Sequence, residues 1–379
     1  MLTLSDYTMP HSVWIGIYTY VKDHPALYQD MLSDTFTEDE LLKALKKQAQ
    51  SLFLPKEYDA FRKSITALQK GKAVSLKREN IFRLFFALHL STDTEAQDLL
   101  LNYLHQSELS ARSLDEFIII AALKLQLSWN ETRMVREKYA AAIAAQPFSP
   151  AEIAEGQTAE VYYSVICDKL HSSDDLMDYL DTSENLAFFA KTCNTQYLAL
   201  FHDVDLQTLY TGTAKQCIHL FTDYGDPEPE TMRSYYASLY PISEEQIFSL
   251  SCLFPNVFMS YDSFCQFVQR KKPVNISSGL FLLSLLAKLR TDDEEAMEDF
   301  YVDFLDRDEF TDMLNDILTY FGFPVLQPDL DPFERLVLYT YNECLDTHPD
   351  ITNSEFQDEF LDMLWNHLEE LAAQYALTL

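Results

Sequence analysis

Residues Tyr58–Ala96 read YDAFRKSITALQKGKAVSLKRENIFRLFFALHLSTDTEA, and this stretch decides the fold. From Leu54 to Leu68, apolar side chains recur every three or four residues, which is the spacing of one buried helix face. The segment Gln69–Ala73 (QKGKA) ends this helix at its single glycine, and a second apolar helix follows over Leu76–Leu88. The stretch therefore predicts two amphipathic helices joined by a short turn.

Signals for helix N-termini recur along the whole chain. In a capping box, a Ser or Thr is followed three residues later by Glu or Gln, and the pair satisfies backbone N–H groups that a helix start leaves unpaired. Such pairs occur at Thr37/Glu40, Thr92/Glu95, Ser113/Glu116, Ser128/Glu131, Ser243/Gln246, Thr291/Glu294 and Ser354/Gln357. The last of them precedes an apolar stripe of helical spacing, formed by Phe356, Phe360, Leu364, Leu368 and Leu371. We therefore predict an all-α protein.

Part of the opening stretch occurs a second time. The matched blocks are YDAF (Tyr58–Phe61) with YDSF (Tyr261–Phe264), KAVSL (Lys72–Leu76) with KPVNI (Lys272–Ile276), LSTDTEA (Leu90–Ala96) with LRTDDEEA (Leu289–Ala296) and, more loosely, Tyr103–Leu109 with Tyr320–Leu326. Their order and approximate spacing agree. The sequence therefore predicts two copies of one helical module that flank a middle segment.

Charge is distributed unevenly along the chain. The formal net charge is −32, yet Leu41–Arg83 holds 11 cations against 3 acids, a local charge of +8, and the remainder carries −40. A cationic surface on a strongly anionic protein is typical of proteins that bind a polyanion, of which nucleic acid is the commonest. The alternative is a chance cluster on a solvated helix face.

The order of elements in Leu54–Leu100 resembles the Cro-type (lambda-repressor-like, XRE) helix-turn-helix family. In that family a recognition helix ends in a Gly-Lys loop, and a Ser-capped helix, an Ala-Leu pair, a short turn and a final helix follow. The residues that carry the resemblance are Gly71, Lys72, Ser75, Ala87, Leu88 and the turn His89–Asp93. It covers about 50 residues of the N-terminal third.

This resemblance implies that the helix Lys56–Lys70 docks in the major groove of double-stranded DNA. The implied base-edge contacts are Arg62, Lys63, Thr66 and Gln69. The implied phosphate contacts are Lys70, Lys72, Lys77 and Arg78. The second copy, near residues 255–300, presents Asp262, Gln266, Gln269 and Arg270 in the equivalent helix, so we interpret it as a degenerate structural or dimerising module.

These observations predict a cytoplasmic DNA-binding transcriptional regulator with two helix-turn-helix-like modules on either side of a middle helical segment. The predicted domains are 1–150, with the basic module at about 41–100, then 151–240 and 241–379. The acidic helical remainder would serve dimerisation, binding of a protein partner or binding of an effector. The alternative is a helical protein–protein interaction adaptor whose modules no longer bind DNA. Ser51–Pro55 (SLFLP) favours it, because the family has a glutamine and a small-residue turn there.

Other functional classes leave few traces in the sequence. It contains no Gly-rich phosphate loop, no Gly-x-Ser-x-Gly and no His-Glu-x-x-His, so we do not expect an enzyme. The 6 cysteines form no Cys-x-x-Cys pair, and we expect no metal and no cofactor. The longest apolar runs, such as Val13–Val21, are too short to span a bilayer, so we expect no membrane partner.

Overall fold

The computed structural model describes residues 13–33, 35–73, 76–104, 106–145, 159–201, 229–269, 276–289, 305–349 and 351–378. Within these ranges every regular element is a helix, so the predicted all-α class is confirmed. The first half contains α1 (Val13–Asp23), α2 (Pro25–Tyr28), α3 (Glu38–Leu52), α4 (Pro55–Gln69), α5 (Arg78–Ala87), α6 (Asp93–Asp98), a π-helical turn (Leu99–Tyr103), α7 (Leu114–Lys124), α8 (Trp129–Ala145), α9 (Ala159–Lys169), α10 (Ser173–Asp181) and α11 (Ser183–Phe201). The second half contains α12 (Pro229–Leu239), α13 (Glu244–Leu253), α14 (Tyr261–Val268), α15 (Ser278–Leu289), α16 (Arg307–Tyr320), α17 (Pro332–Thr347) and α18 (Asn353–Thr378).

Each half has its own hydrophobic core. The core of the first half draws buried side chains from Val13 to Ala190, and α3 packs on both α4 and α5 within it. Helices α9, α10 and α11 also contribute to this core, through residues such as Ile166, Leu176 and Phe189. The core of the second half is built mainly where α18 packs on α13 and α17. The predicted boundaries near residues 150 and 240 stay predictions, and the loop between residues 145 and 159 lies outside the described residues.

Four of the seven capping boxes form as predicted, and they begin α3, α6, α8 and α13. The serine or threonine accepts from the backbone N–H three residues on, and the Glu or Gln side chain accepts from the cap, at Thr37/Glu40, Thr92/Glu95, Ser128/Glu131 and Ser243/Gln246. Two predictions are wrong. Ser113 makes no side-chain capping bond, and α18 is begun by Thr352 with Glu355 rather than by Ser354. The pair Thr291/Glu294 lies outside the described residues.

A buried carboxylate ties the start of α7 to the start of α5. Glu116 is 6% exposed and accepts from Nε of Arg78 at 2.7 Å and from the backbone N–H of Ser110 at 2.6 Å. One residue earlier, the N–H of Leu109 donates to Oε1 of Gln97 at 3.2 Å. These bonds fix the loop between the π-helical turn and α7, whose backbone would otherwise be left unpaired.

The second half repeats this arrangement. Glu334, on α17, is 2% exposed and accepts from Oγ of Ser278 at 2.8 Å and from the backbone N–H of Gln327. The N–H of Leu326 donates to Oδ1 of Asn315 at 2.8 Å. These hydrogen bonds lie at the end of Tyr103–Leu109 in the first half and at the end of Tyr320–Leu326 in the second half. The sequence repeat pairs the same two segments. This agreement supports the prediction of a repeated helical module, while the helix-turn-helix character of both modules stays a prediction.

Helix α1 approaches the π-helical turn so closely that Gly16 has no room for a side chain. A Cβ atom added there would lie 2.0 Å from the carbonyl oxygen of Tyr103, which is backbone and unable to rotate away. We expect Gly16→Ala to lower the free energy of unfolding by about 2 kcal/mol. Chemical denaturation measures this. The control is Gly71→Ala, where nothing lies within 4 Å and only the positive φ of +67° opposes a side chain, at about 1 kcal/mol. Equal stability of Gly16→Ala and the wild type would contradict the close packing.

Candidate nucleic-acid interface

The candidate interface is formed by α3 and α4, which only two residues separate. Pro55 opens α4, and the backbone N–H of Leu54 donates to Oε2 of Glu57 at 3.0 Å, which caps the helix start. The buried faces of the two helices carry Leu41, Leu42, Leu45 and Ala49 on α3 and Phe61, Ile65 and Leu68 on α4. Because these faces point into the core, the polar side chains of both helices are left at the surface.

Cations from both helices meet at this surface. Lys46 of α3 lies near Arg62 of α4 and near Lys70, which follows α4 directly. Burial, and after it the charges of Arg62 and Lys70, lower the pKa of Lys46. Exposed lysines flank this group on the same two helices. We define the basic surface as Lys43, Lys46, Lys47, Arg62, Lys63 and Lys70. The packing of α3 on α4 therefore brings together cations that belong to two successive helices.

Two of the four predicted base-edge residues share one carboxylate. Nη2 of Arg62 lies 2.6 Å from Oδ1 of Asp59, and Nζ of Lys63 lies 2.9 Å from Oδ2. Both cations remain open to solvent, with 44% and 71% of their side chains exposed. Asp59 was not predicted as a partner, although its spacing of three and four residues from these cations is the spacing of neighbours on a helix.

The other two predicted base-edge residues lie on the same side of α4, at half-exposed positions. Oγ1 of Thr66 donates to the backbone carbonyl of Arg62 at 2.6 Å. Nε2 of Gln69 donates to Oδ1 of Asp39, in the first turn of α3, at 3.1 Å. No sequence signal predicts the second bond, because its partners are separated by 30 residues and meet only through helix packing. The structure thus brings the four residues together on one accessible face.

The four predicted phosphate contacts divide into three exposed lysines and one internal arginine. Lys70, Lys72 and Lys77 are exposed. The prediction for Arg78 is wrong, because its side chain is only 11% exposed and is held by Glu116 and by the carbonyl oxygens of Ser107 and Glu108 at 2.9 and 2.8 Å. These internal partners hold the guanidinium of Arg78 away from the protein surface where a DNA backbone would lie.

A second arginine of the basic stretch is also turned inward. Arg83, 11% exposed, lies 2.9 Å from Glu79, and Glu79 in turn meets Arg136 of α8. Arg83 is one of the eleven cations that were predicted to form one surface. Contacts of α5 with α7 and its preceding loop remove Arg78 from the candidate interface, and contacts within α5 and with α8 remove Arg83.

The second half presents no equivalent charge among its described residues. In α14, Asp262 and Gln269 are exposed and Gln266 is half-exposed, as the sequence predicts, while Arg270 lies outside the described residues. Within residues 255–269 and 276–289, Lys288 is the sole cation. The described part of the second module therefore lacks the cluster of cations that the first module has.

Residues of both halves line a cavity of about 630 Å³. Its lining from the first half includes Arg78, Arg83 and Arg136, each paired with the carboxylates around it. Its lining from the second half includes Ser278 and Asp331. Because acids outnumber cations in this lining and most are ion-paired, the cavity does not favour an anion.

Comparison with known proteins gives no match for this chain among family models, curated proteins or solved structures. No helix in the described part of the chain has both the length and the apolar character needed to cross a bilayer. In the same part of the chain, no three His, Cys, Asp or Glu side chains are grouped as metal ligands.

Proposed function

We propose that this chain is a cytoplasmic, non-catalytic DNA-binding regulator that docks the basic surface of α3 and α4 on double-stranded DNA. One observation carries the proposal: cations from two helices converge on an exposed face of a chain whose remainder is strongly anionic. Helix α4 would enter the major groove with Arg62, Lys63, Thr66 and Gln69 toward the bases. Lys70, Lys72 and Lys77 would bind phosphates.

The ion pairs already present at this surface are weak enough to be exchanged. Exposed pairs such as those of Asp59 contribute little to stability, because solvent screens them, and they weaken with salt. If five or six lysines and arginines meet phosphates, log K falls with log salt at a slope of about −5. Charges farther than about 8 Å are screened in physiological salt, so the anionic remainder reduces non-specific binding without abolishing specific binding.

The test is a gel shift in modest salt, with duplexes selected from a random pool. We expect the triple variant R62E/K63E/K70E to lose about 100-fold in affinity, because it removes three phosphate or base contacts and adds three repulsive charges. The control is K138E/K169E/R307E, which changes the net charge by the same amount at exposed positions outside the basic surface. We expect a less than about threefold effect from it. Retained affinity in the R62E/K63E/K70E variant would end the proposal.

A helical adaptor is the second proposed function, and it has an observation of its own. Arg62 and Lys63 already hold a carboxylate within hydrogen-bonding distance, so the basic surface also fits an acidic protein partner or a second copy of this acidic chain. Size-exclusion chromatography with light scattering separates the two functions. A DNA-free oligomer that dissociates as salt rises, together with no retained duplex, would favour the adaptor.

A further inference from the structure

We propose that Asp59 and Asp39 set the selectivity of the basic surface by holding its base-reading side chains in the free protein. The proposal rests on the DNA-binding function proposed above. Its starting point is that these two carboxylates engage three of the four base-edge residues: Arg62, Lys63 and Gln69.

Asp59 is used fully by its two partners. Oδ1 faces Arg62 and Oδ2 faces Lys63, so each carboxylate oxygen holds one cation. The hydrogen bonds from Arg62 and then from Lys63 lower the pKa of Asp59. Asp59 therefore remains ionised wherever DNA binding is measured, and its charge is a constant part of the surface.

Asp39 acts on a neutral reader. Its Oδ1 accepts from the side-chain amide of Gln69 at 3.1 Å, across the contact between α3 and α4. A glutamine that reads adenine uses its amide N–H and carbonyl together. The amide nitrogen carries two N–H donors, so one stays on Asp39 while the other contacts the base, and Asp39 orients Gln69 for that contact.

These carboxylates weaken binding to random DNA more than they weaken binding to a selected sequence. Any duplex that docks here must tolerate two negative charges near its phosphates. A selected sequence recovers this cost through base contacts with side chains that the acids already hold in place, because ordered side chains lose less conformational freedom on binding. A random sequence offers phosphates alone and recovers nothing. The two acids therefore act mainly against non-specific DNA, which is the repulsive half of specificity.

The experiment compares the wild type with D59N/D39N, which removes two charges and keeps the size of both side chains. Affinity is measured by gel shift for a selected duplex and for a random duplex, and elution from a heparin column reports the strength of the cationic surface. We expect about a tenfold gain for the random duplex, less than about a threefold gain for the selected duplex, and elution from heparin at higher salt.

The matched control is D308N/D312N on α16. Asp308 occupies the first turn of its helix, as Asp39 does, and both control positions are exposed. This variant makes the same change in net charge away from the basic surface, and we expect its affinities and its heparin elution to equal those of the wild type.

The outcomes separate this inference from the proposed function. Wild-type binding of the selected duplex with equal gains for both duplexes, or with no gain for D59N/D39N, overturns the inference and leaves the function intact. Binding of neither duplex by any variant, with later heparin elution of D59N/D39N, overturns the DNA function and keeps the two acids as gatekeepers of a different polyanion site. Absence of duplex binding and unchanged heparin elution overturn both.

Discussion

Replacing Arg136 by alanine is expected to lower the free energy of unfolding by about 4 kcal/mol. Arg136 lies between α5 and α8 with 7% of its side chain exposed. Its Nε and Nη2 atoms lie 2.7 and 2.6 Å from the two carboxylate oxygens of Asp115, and Nη2 also lies 2.7 Å from Oε2 of Glu79. Without the guanidinium, the buried carboxylate of Asp115, 13% exposed, loses its cation, while Glu79 keeps Arg83.

The surroundings of Arg136 make this loss hard to compensate. Burial alone would lower the pKa of Arg136, but the carboxylates of Asp115 and Glu79 outweigh it and the pKa is raised. The guanidinium also lies 5.3 Å from the ring centroid of Phe82 and 5.8 Å from that of Trp129. Contacts of this kind add to the loss when the arginine is truncated.

Chemical denaturation of Arg136→Ala and Arg307→Ala provides the measurement and its control. Arg307 also pairs with one carboxylate at 2.6 Å, but its side chain is 54% exposed and that of Asp346 is 73% exposed. We expect less than about 1 kcal/mol for this pair, because solvent screens it. If both variants lost similar amounts of unfolding free energy, burial would not be the reason that the ion pairs of Arg136 contribute to stability.

The sequence predicted the helices because the signals that begin and bury a helix are local. Thr37, Thr92 and Ser243 cap their helices through bonds to residues within one turn. The apolar stripe of the last helix is buried along its whole length, from Phe356 at 1% exposure to Leu371 at 0%. Both patterns depend on spacing along the chain, and spacing is fully visible in a sequence.

The errors arose where a residue had a distant partner. The sequence assigned Arg78 to a phosphate and Glu116 to a capping box with Ser113, but these two charged residues, 38 positions apart, pair with each other. A capping bond is worth about 1 kcal/mol, whereas an unpaired buried charge costs several. Pairing of the buried charges therefore determines the structure here, and this pairing is visible only in the tertiary packing.

The candidate interface was predicted in part for the same reason. The exposed positions of Arg62, Lys63 and Lys70 follow from the apolar period of α4, which leaves them opposite the core. The contribution of α3 through Lys46 and the bond from Gln69 to Asp39 depend on how the two helices pack. Helical periodicity gives the face of one helix but not the neighbour that completes it.

The equivalent buried carboxylates Glu116 and Glu334 are expected to respond with opposite signs to the same substitution. Glu116 is neutralised by Arg78, whereas the matching partner of Glu334 is the hydroxyl of Ser278. Burial, and after it the carboxyl of Asp331, raise the pKa of Glu334 from 4.5 to about 7. One half therefore contains a buried ion pair, and the other a buried carboxyl that ionises near neutral pH.

The raised pKa of Glu334 makes stability fall as pH rises. The folded state binds this proton more tightly than the unfolded chain, so the stabilisation is fully present below about pH 4.5 and is lost as pH rises to about 7. The contribution of this group is about 3 kcal/mol over that interval. Chemical denaturation at about pH 4.5 and about pH 8 measures it, and Glu334→Gln is expected to remove it.

At about pH 8, we expect Glu334→Gln to be more stable than the wild type by about 2 kcal/mol, because an amide needs no counter-charge in the core. We expect Glu116→Gln to be less stable by about 3 kcal/mol, because it leaves the Arg78 guanidinium buried beside a neutral group. A loss of stability in both variants at this pH would contradict the difference between the two sites.

A third variant tests the cause rather than the consequence. Ser278→Arg would place an arginine where the first half has Arg78, and Ser278 lines the cavity between the halves, which leaves room for the longer side chain. With a guanidinium beside it, Glu334 would ionise at a lower pH, since an adjacent opposite charge favours the charged form. We therefore expect stability to fall less between about pH 4.5 and about pH 8 in Ser278→Arg than in the wild type, as in Glu334→Gln. If the stability of Ser278→Arg depended on pH as that of the wild type does, the lack of an arginine at position 278 would not explain the raised pKa of Glu334.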